Sequence, residues 1–116
     1  MNAEILREHC IQKREVTESF PFDSDTLVFK VAGKIFCLIG LNNPVCCNLK
    51  CDPEKAIELR ATYTAVIPGW HMSKTNWNTI YFNQDMKDKE IIEWVDHSYQ
   101  MVINGLTKKL RKELGL

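Results

Sequence analysis

The sequence has no long apolar run, no excess of charge of either sign and no C-x2-C pair of cysteines. Without about 18 consecutive apolar residues, no segment is predicted to span a membrane. The opening residues MNAEILREHC carry charge where a signal peptide needs an apolar stretch, so export is not expected and a cytoplasmic location is predicted. The formal net charge of +0 argues against a strong polyanion binder.

Cysteine usage indicates reduced thiols. The count of five is odd, and the adjacent pair would point to opposite faces of a strand. The cysteines are Cys10, Cys37, Cys46, Cys47 and Cys51. A zinc site built from Cys46, Cys47, Cys51 and a histidine lacks paired C-x2-C spacing, and Asp52-Pro53 starts a helix directly after Cys51. We therefore expect free thiols, no metal and no other cofactor.

The chain of 116 residues is predicted to form one domain, residues 1–116. It is long enough to form a hydrophobic core without disulfides or a structural metal. Hydrophobic periodicity predicts helices over residues 3–13, from Pro53 to about Tyr63, and over residues 88–104. It also predicts strands at residues 26–31, 34–41, 45–50, 64–67 and 77–82. Ile5, Leu6 and Cys10 should share the buried side of the first helix. Residues 107–114 read as a short basic appendage.

These elements predict a two-layer α+β domain. Asn2 and Asp52 are predicted helix caps, and Gly105 is placed to end the last helix. Because the links between strands are of hairpin length, the sheet should be antiparallel, with about five strands and the helices on one face. The predicted order is helix, three strands, helix, two strands, helix.

Charge alternates along the chain although it cancels in total. Residues 26–84 and 97–116 each carry a net charge of +3, while residues 1–25 and 85–96 each carry −3. A basic surface can therefore exist on a neutral molecule, provided that the fold brings the two positive segments together.

The loop before the last strand groups polar donors with flat aromatic side chains: Trp70, His71, Lys74 and Trp77 lie within eight positions. Lys74 and His71 suit phosphate, and Trp70 or Trp77 suits stacking on a base. The alternative is that both tryptophans cover the sheet edge. For Trp77 burial is the favoured alternative, because large aromatic side chains are mostly buried.

Two further sets of basic residues are candidate contacts. Lys30, Lys34 and Lys50 lie in or beside predicted strands, and for each of them taken singly solubility is the favoured explanation. A second cluster falls within five positions near the end of the chain: Lys108, Lys109, Arg111 and Lys112. Such clusters bind phosphate backbones, but they also form ordinary solvated helix ends.

Two sites that the residues suggest are rejected. Asp96, His97 and Ser98 resemble a hydrolytic triad, but consecutive helix residues point about 100° apart and cannot hydrogen-bond in series. His97 is better explained as a surface or helix-capping residue. Iron bound by acidic residues of the first helix and its flank is also disfavoured, since their spacing is typical of a solvated face. These acids are Glu4, Glu8, Glu15 and Glu18.

Several segments together resemble the MmcQ/YjbR family, in the family's order and across essentially the whole chain. They are residues 18–22 (ESFPF), 26–36 (TLVFKVAGKIF), 48–54 (NLKCDPE), 68–79 (PGWHMSKTNWNT), 96–99 (DHSY) and 105–110 (GLTKKL). The resemblance implies an α-β3-α-β2-α two-layer fold, sometimes grouped with the frataxin-like (CyaY-like) shape. It also implies DNA binding, by a proposed double-wing arrangement of hairpins, and no enzymatic activity.

The predicted function is that of a small non-enzymatic domain that binds DNA or another nucleic acid with low specificity. The residues predicted to make contact are Lys30, Lys34, His71, Lys74, Trp77, Lys108, Lys109, Arg111 and Lys112. The alternative is a protein-interaction module that uses the open sheet face, which needs an exposed apolar patch of a few hundred Å². A monomer with no membrane contact is expected in either case.

Overall fold

The computed structural model describes residues 1–69 and 72–116. The helices and strands of this part of the chain are, in order, α1 (Ala3–Ile11), β1 (Val16–Ser19), β2 (Thr26–Val31), β3 (Lys34–Gly40), β4 (Cys46–Lys50), α2 (Pro53–Thr62), β5 (Val66–Pro68), β6 (Trp77–Tyr81), α3 (Asp88–Asn104) and α4 (Lys108–Leu114). The strands form one antiparallel sheet in the order β1-β2-β3-β4-β6-β5. The predicted α+β fold is confirmed, with six strands where about five were expected.

The additional strand is β1, at one edge of the sheet. It pairs with β2, placing Val16 opposite Val31. Its side chains alternate between half-buried and exposed, so it has no apolar run by which a short strand is recognised. Pro21 was predicted to interrupt regular structure, and it lies just after β1. The strand that was not predicted therefore ends just before this interruption.

The helix ends follow local capping chemistry. The Asn2 side chain accepts a hydrogen bond from the Ile5 amide, and the Asp52 side chain accepts one from the Lys55 amide, so both predicted caps are confirmed. α3 has the predicted bounds. α1 ends two residues early, and Ile5 is 50% exposed, which corrects the prediction that it faces the core. Leu6 and Cys10 supply the buried stripe of α1.

The main core lies between one face of the sheet and the helices. Buried residues of α1, α2 and α3 join inward-facing residues of β2, β3, β4 and β6 in a single cluster. A smaller cluster of Val28, Leu38 and Trp77 lies on the opposite face of the sheet, which we call the open face. None of the helices in the described part of the chain has the length and apolar character needed to cross a bilayer.

A bulge in β3 is tied to the helix layer by the hydroxyl of Ser98. Phe29 pairs with Cys37 but Lys30 pairs with Ile35, so Phe36 is the extra residue. Ser98, fully buried on α3, donates a hydrogen bond to the Phe36 carbonyl and accepts one of 2.9 Å from the Lys50 amide. The hydroxyl thus bridges β3 and β4 where their direct pairing ends.

We predict that Ser98→Ala destabilises the fold by about 1–3 kcal/mol, because it leaves a buried amide and a buried carbonyl without partners. The free energy of unfolding from urea titration measures the effect. Ser24→Ala, in the exposed loop after β1, is the matched control and should change stability by less than about 0.5 kcal/mol. Equal stability of the two variants would contradict a bridging role for Ser98.

Candidate functional site

The open face of the sheet carries a row of side chains with lysines on both sides of an apolar centre. Lys30 lies opposite Ile35 in the β2–β3 ladder, and Lys50 lies opposite Trp77 in the β4–β6 ladder. Because side chains of a strand alternate between faces, these residues share the face away from the helices. The lysines are partly exposed, whereas the next row along the strands is buried.

A groove of about 380 Å³ opens at this end of the sheet, and we call it the basic groove. It is lined by residues from three regions of the chain, among them Lys34, Lys50, Met72, Gly105 and Leu106. α4, with its four basic side chains, begins two residues after Leu106. The groove is therefore lined by residues of both positively charged segments: Lys34 and Lys50 come from the first, and the uncharged Gly105 and Leu106, which precede α4, come from the second.

Two further cavities continue across the open face. One, of about 280 Å³, is lined by Phe22, Asp23, Thr26, Leu38 and Met72. The other, of about 230 Å³, is lined mainly by polar residues, and we call it the polar cavity; its lining includes Asp25, Thr26, Asn42, Asn43, Asn48 and Tyr81. Met72 lines both the basic groove and the cavity of about 280 Å³. Thr26 and Leu38 line both that cavity and the polar cavity. The three form one open-face cleft.

A hydrogen bond between two buried side chains fixes one residue of the polar cavity. The Thr79 hydroxyl, fully buried, donates a hydrogen bond to Oδ1 of Asn48. Asn48 lines the cavity, and its Oδ1 accepts this hydrogen bond. The cavity thus offers amide donors together with the carboxylate of Asp25.

The lysines predicted to contact nucleic acid have different surroundings. Lys34 lines the basic groove, and Lys30 lies on the open face beside it. Lys74 is exposed, and its carbonyl accepts a hydrogen bond from Arg60. On α4, Lys108, Lys109 and Lys112 are exposed and Arg111 is partly exposed. Trp70 and His71 lie outside the described residues.

Trp77 has little surface available for stacking. Its side chain is 6% exposed and packs with Val28 and Leu38. The favoured alternative of burial is thus what the structure shows, and Trp77 belongs to the packing beneath the cleft. Phe22 lines the cleft, and its ring is 64% exposed, so it is the candidate stacking surface among the described residues. The sequence signal for it was the FPF segment, where proline holds two phenylalanines outside regular structure.

Residues 96–99 do not form a hydrolytic triad, because each of them bonds to a different element. Asp96 binds His9 at 2.7 Å and Lys13 at 2.5 Å. His97 accepts a hydrogen bond of 3.1 Å from the Asp52 amide at the start of α2, as expected of a capping histidine. Ser98 forms the bridge in the sheet, and the Tyr99 hydroxyl donates to the Arg14 carbonyl.

The electrostatics of this segment agree with a structural role. Partial burial acts to raise the pKa of Asp96, but hydrogen bonds from Lys13 and His9 outweigh it and the pKa is lowered. Burial lowers the pKa of His97, and the nearby Lys55 ammonium adds to this effect. A neutral His97 is the form that accepts a hydrogen bond from the Asp52 amide.

The cysteines are free and buried in the structure. Burial raises the pKa of Cys37, Cys46 and Cys47, and it raises the pKa of Cys51 to about 11. Within residues 1–69 and 72–116, no group of three or more histidine, cysteine or acidic side chains is arranged to hold a metal ion. Of the four acids considered for iron, Glu18 forms an ion pair with Arg7.

Comparison with known proteins identifies the family. A model of the YjbR family matches residues 11–101. The Escherichia coli K12 protein YjbR is 32% identical over 110 residues, which cover 94% of this chain and 93% of that protein. The chain belongs to the YjbR family. YbdF of Escherichia coli O157:H7 is 32% identical over 96 residues, covering 82% of this chain and 79% of YbdF. The MmcQ/YjbR assignment is therefore confirmed.

Solved structures of similar proteins have the same fold. The Deinococcus radiodurans protein DR2400, with a DUF419 domain, superposes with a TM-score of 0.92 at 36% identity, covering 99% of this chain and 88% of that one. A Pseudomonas syringae protein superposes with a TM-score of 0.76 at 24% identity, covering 87% and 98% of the two chains. This second likeness extends to the fold alone.

We predict that His97→Gln removes one component of the pH dependence of stability. Because the folded-state pKa of His97 is lowered, its contribution is present above about pH 6.5 and is lost as pH falls towards the folded pKa. Glutamine still accepts a hydrogen bond from the Asp52 amide but does not titrate. The difference in unfolding free energy between the wild type and His97→Gln should be constant at neutral pH and change below it.

The matched measurement is an NMR titration of the His97 ring. A folded-state pKa at or above the ordinary histidine value, or identical pH dependence in the two proteins, would contradict the role given to His97.

Proposed function

We propose that this chain is a non-enzymatic domain that binds nucleic acid with low sequence specificity, through phosphate contacts at the basic groove. The observation that carries this proposal is that Lys34 and Lys50 line one groove together with Gly105 and Leu106, the residues that lead into basic helix α4. DNA is the first candidate ligand, because DNA binding is what the resemblance implies. Buried free thiols suit a reducing compartment such as the cytoplasm.

Low specificity follows from the kind of contact. Lysine ammonium groups bind phosphate as point charges and carry no base information. The cleft lies on the face of the sheet opposite the main helix layer, so a ligand in it does not meet the outer faces of α1, α2 and α3. Binding through about four phosphates should be weak and should fall steeply with salt, with a log–log slope near −3 to −4.

A non-enzymatic role is supported by the bonds of the residues that most resemble a catalytic group. Asp96, His97 and Ser98 each hold a different element of the fold, so none is oriented towards another for proton transfer. Their positions on α3 also place them on the helix side of the sheet, away from the cleft.

A second candidate is a protein-interaction module. The observation that favours it is the exposure of large apolar side chains near the open face, including Phe20 and Phe22 in the loop after β1 and Ile67 on the edge strand β5. Exposed apolar patches mark protein contacts when they are contiguous. A partner of this kind needs no basic groove, so reversing its charges separates the two candidates.

We predict that Lys34→Glu, Lys108→Glu and Lys109→Glu together weaken binding to random duplex and single-stranded oligonucleotides by at least about tenfold at low salt, and lower the magnitude of the salt slope by about 2. These side chains are exposed, so the fold should tolerate the changes. Fluorescence anisotropy across a salt series measures both quantities, and the loss should be similar for any sequence.

The control is the triple reversal of Lys55, Lys87 and Lys89, which changes the net charge equally but alters exposed lysines in or beside helices α2 and α3 on the other side of the sheet. It should weaken binding by no more than about twofold. Equal losses in both triple variants would refute the groove. No binding by the wild type at low ionic strength would remove nucleic acid as the ligand and favour the protein-interaction module.

A further inference from the structure

We infer that the open-face cleft takes a single strand of nucleic acid, with one base stacked on Phe22 and directed into the polar cavity while its phosphates lie at the basic groove. This inference rests on the proposed function and specifies its ligand. Three features of the cleft carry it: the separation of charge along its length, the exposed ring of Phe22 at its middle, and the chemistry of the cavity at its far end.

Charge changes along the cleft in the way that a nucleotide requires. Lys34 and Lys50 lie at one end, Asp23 lines the middle, and Asp25 with three asparagines lies at the other end. Lys50 and Cys46, which line opposite ends, are four residues apart on β4, or about 13 Å. That separation exceeds the screening length of about 8–10 Å at ordinary ionic strength, so the carboxylate of Asp25 does not cancel the attraction of the lysines for phosphate. The carboxylate of Asp23 accepts hydrogen bonds from the Asp25 amide and the Thr26 hydroxyl.

Phe22 supplies the stacking surface between the two ends. Its ring lines the middle of the cleft with Leu38 and Met72 and is 64% exposed. A base that stacks there covers an aromatic face that would otherwise contact water, and such stacking is tolerant of sequence. Phe20, two residues before it and 51% exposed, does not line the cleft, which makes it a matched control.

The polar cavity has the size and chemistry for the edge of a base. Its volume is about 230 Å³, and its lining includes the side-chain amides of Asn42, Asn43 and Asn48, which can donate, and the carboxylate of Asp25, which can accept. Bases present donors and acceptors side by side on their Watson–Crick edges, which are free only in single strands. In a duplex this edge is paired and both faces are stacked, so a duplex can reach the lysines but cannot fill the cavity.

The test compares single-stranded, duplex and abasic DNA oligonucleotides of equal length by fluorescence anisotropy. We expect the wild type to bind the single strand about tenfold more tightly than either the duplex or the abasic strand. Phe22→Ala should remove this preference, so that its affinity for the three probes becomes similar. Phe22→Tyr should retain the preference, and Phe20→Ala should change binding by no more than about twofold.

The outcomes separate this inference from the function on which it rests. If Phe22→Ala behaves like Phe20→Ala, or the wild type binds the abasic strand as tightly as the intact one, the base site is refuted. The basic groove still stands in that case if reversal of Lys34, Lys108 and Lys109 weakens binding. If the wild type binds none of the three probes, both the base site and the groove are refuted.

Discussion

The hydroxyl of Ser98 is the contact on which the arrangement of the two layers depends. It donates a hydrogen bond to a carbonyl on β3 and accepts one from an amide on β4. These two groups lie where the bulge at Phe36 ends the direct pairing of β3 with β4. A buried backbone group without a partner is costly, so α3 is held at one position over the centre of the sheet. The residues beside Ser98 then attach α1, α2 and the α1–β1 loop to α3, which places these elements on one face and leaves the other face open.

That division explains how a neutral protein can have a basic binding surface. Lys30, Lys34 and Lys50 approach one end of the open face, and basic helix α4 follows Gly105 and Leu106, which line the groove there. Many acidic side chains lie on the helix side. Because salt screens exposed charges beyond about 8–10 Å, a phosphate at the groove is affected mainly by the nearby lysines. Net charge thus describes the long-range behaviour of the molecule and says little about a single groove.

The sequence predicted those parts of the fold that local chemistry determines. α3 was bounded correctly because its apolar stripe is uninterrupted and Gly105 follows it, and α2 because Asp52 and Pro53 mark its start. β1 was missed because a half-exposed edge strand depends on pairing with β2, which is a long-range contact. The prediction that Ile5 faces the core was wrong, because α1 contacts α3 and the sheet along a narrower stripe than helical spacing alone suggests.

The candidate site was less predictable, since it consists of residues from distant segments. Lys34 and Lys50 could be named from the sequence, but their meeting with Gly105 and Leu106 depends on how the end of α3 lies against the sheet. Trp77 was the residue predicted to stack on a base, whereas the structure exposes Phe22 in the cleft and buries Trp77. This difference also depends on contacts between distant segments. Trp77 alternates onto the open face but is covered by its neighbours, whereas Phe22 lies in a loop where no strand neighbour covers it.

The central claim is that nucleic acid is held on the open face, and NMR mapping with ¹⁵N-labelled protein tests it most directly. Titration with a short single-stranded oligonucleotide should shift the amide signals of Phe22, Lys34, Leu38 and Lys50, which line the cleft. Amides of exposed helix residues such as Glu8, Glu58 and Glu93 should not shift. Shifts confined to the helix layer, or none at an oligonucleotide concentration in large excess over the protein, would contradict the account.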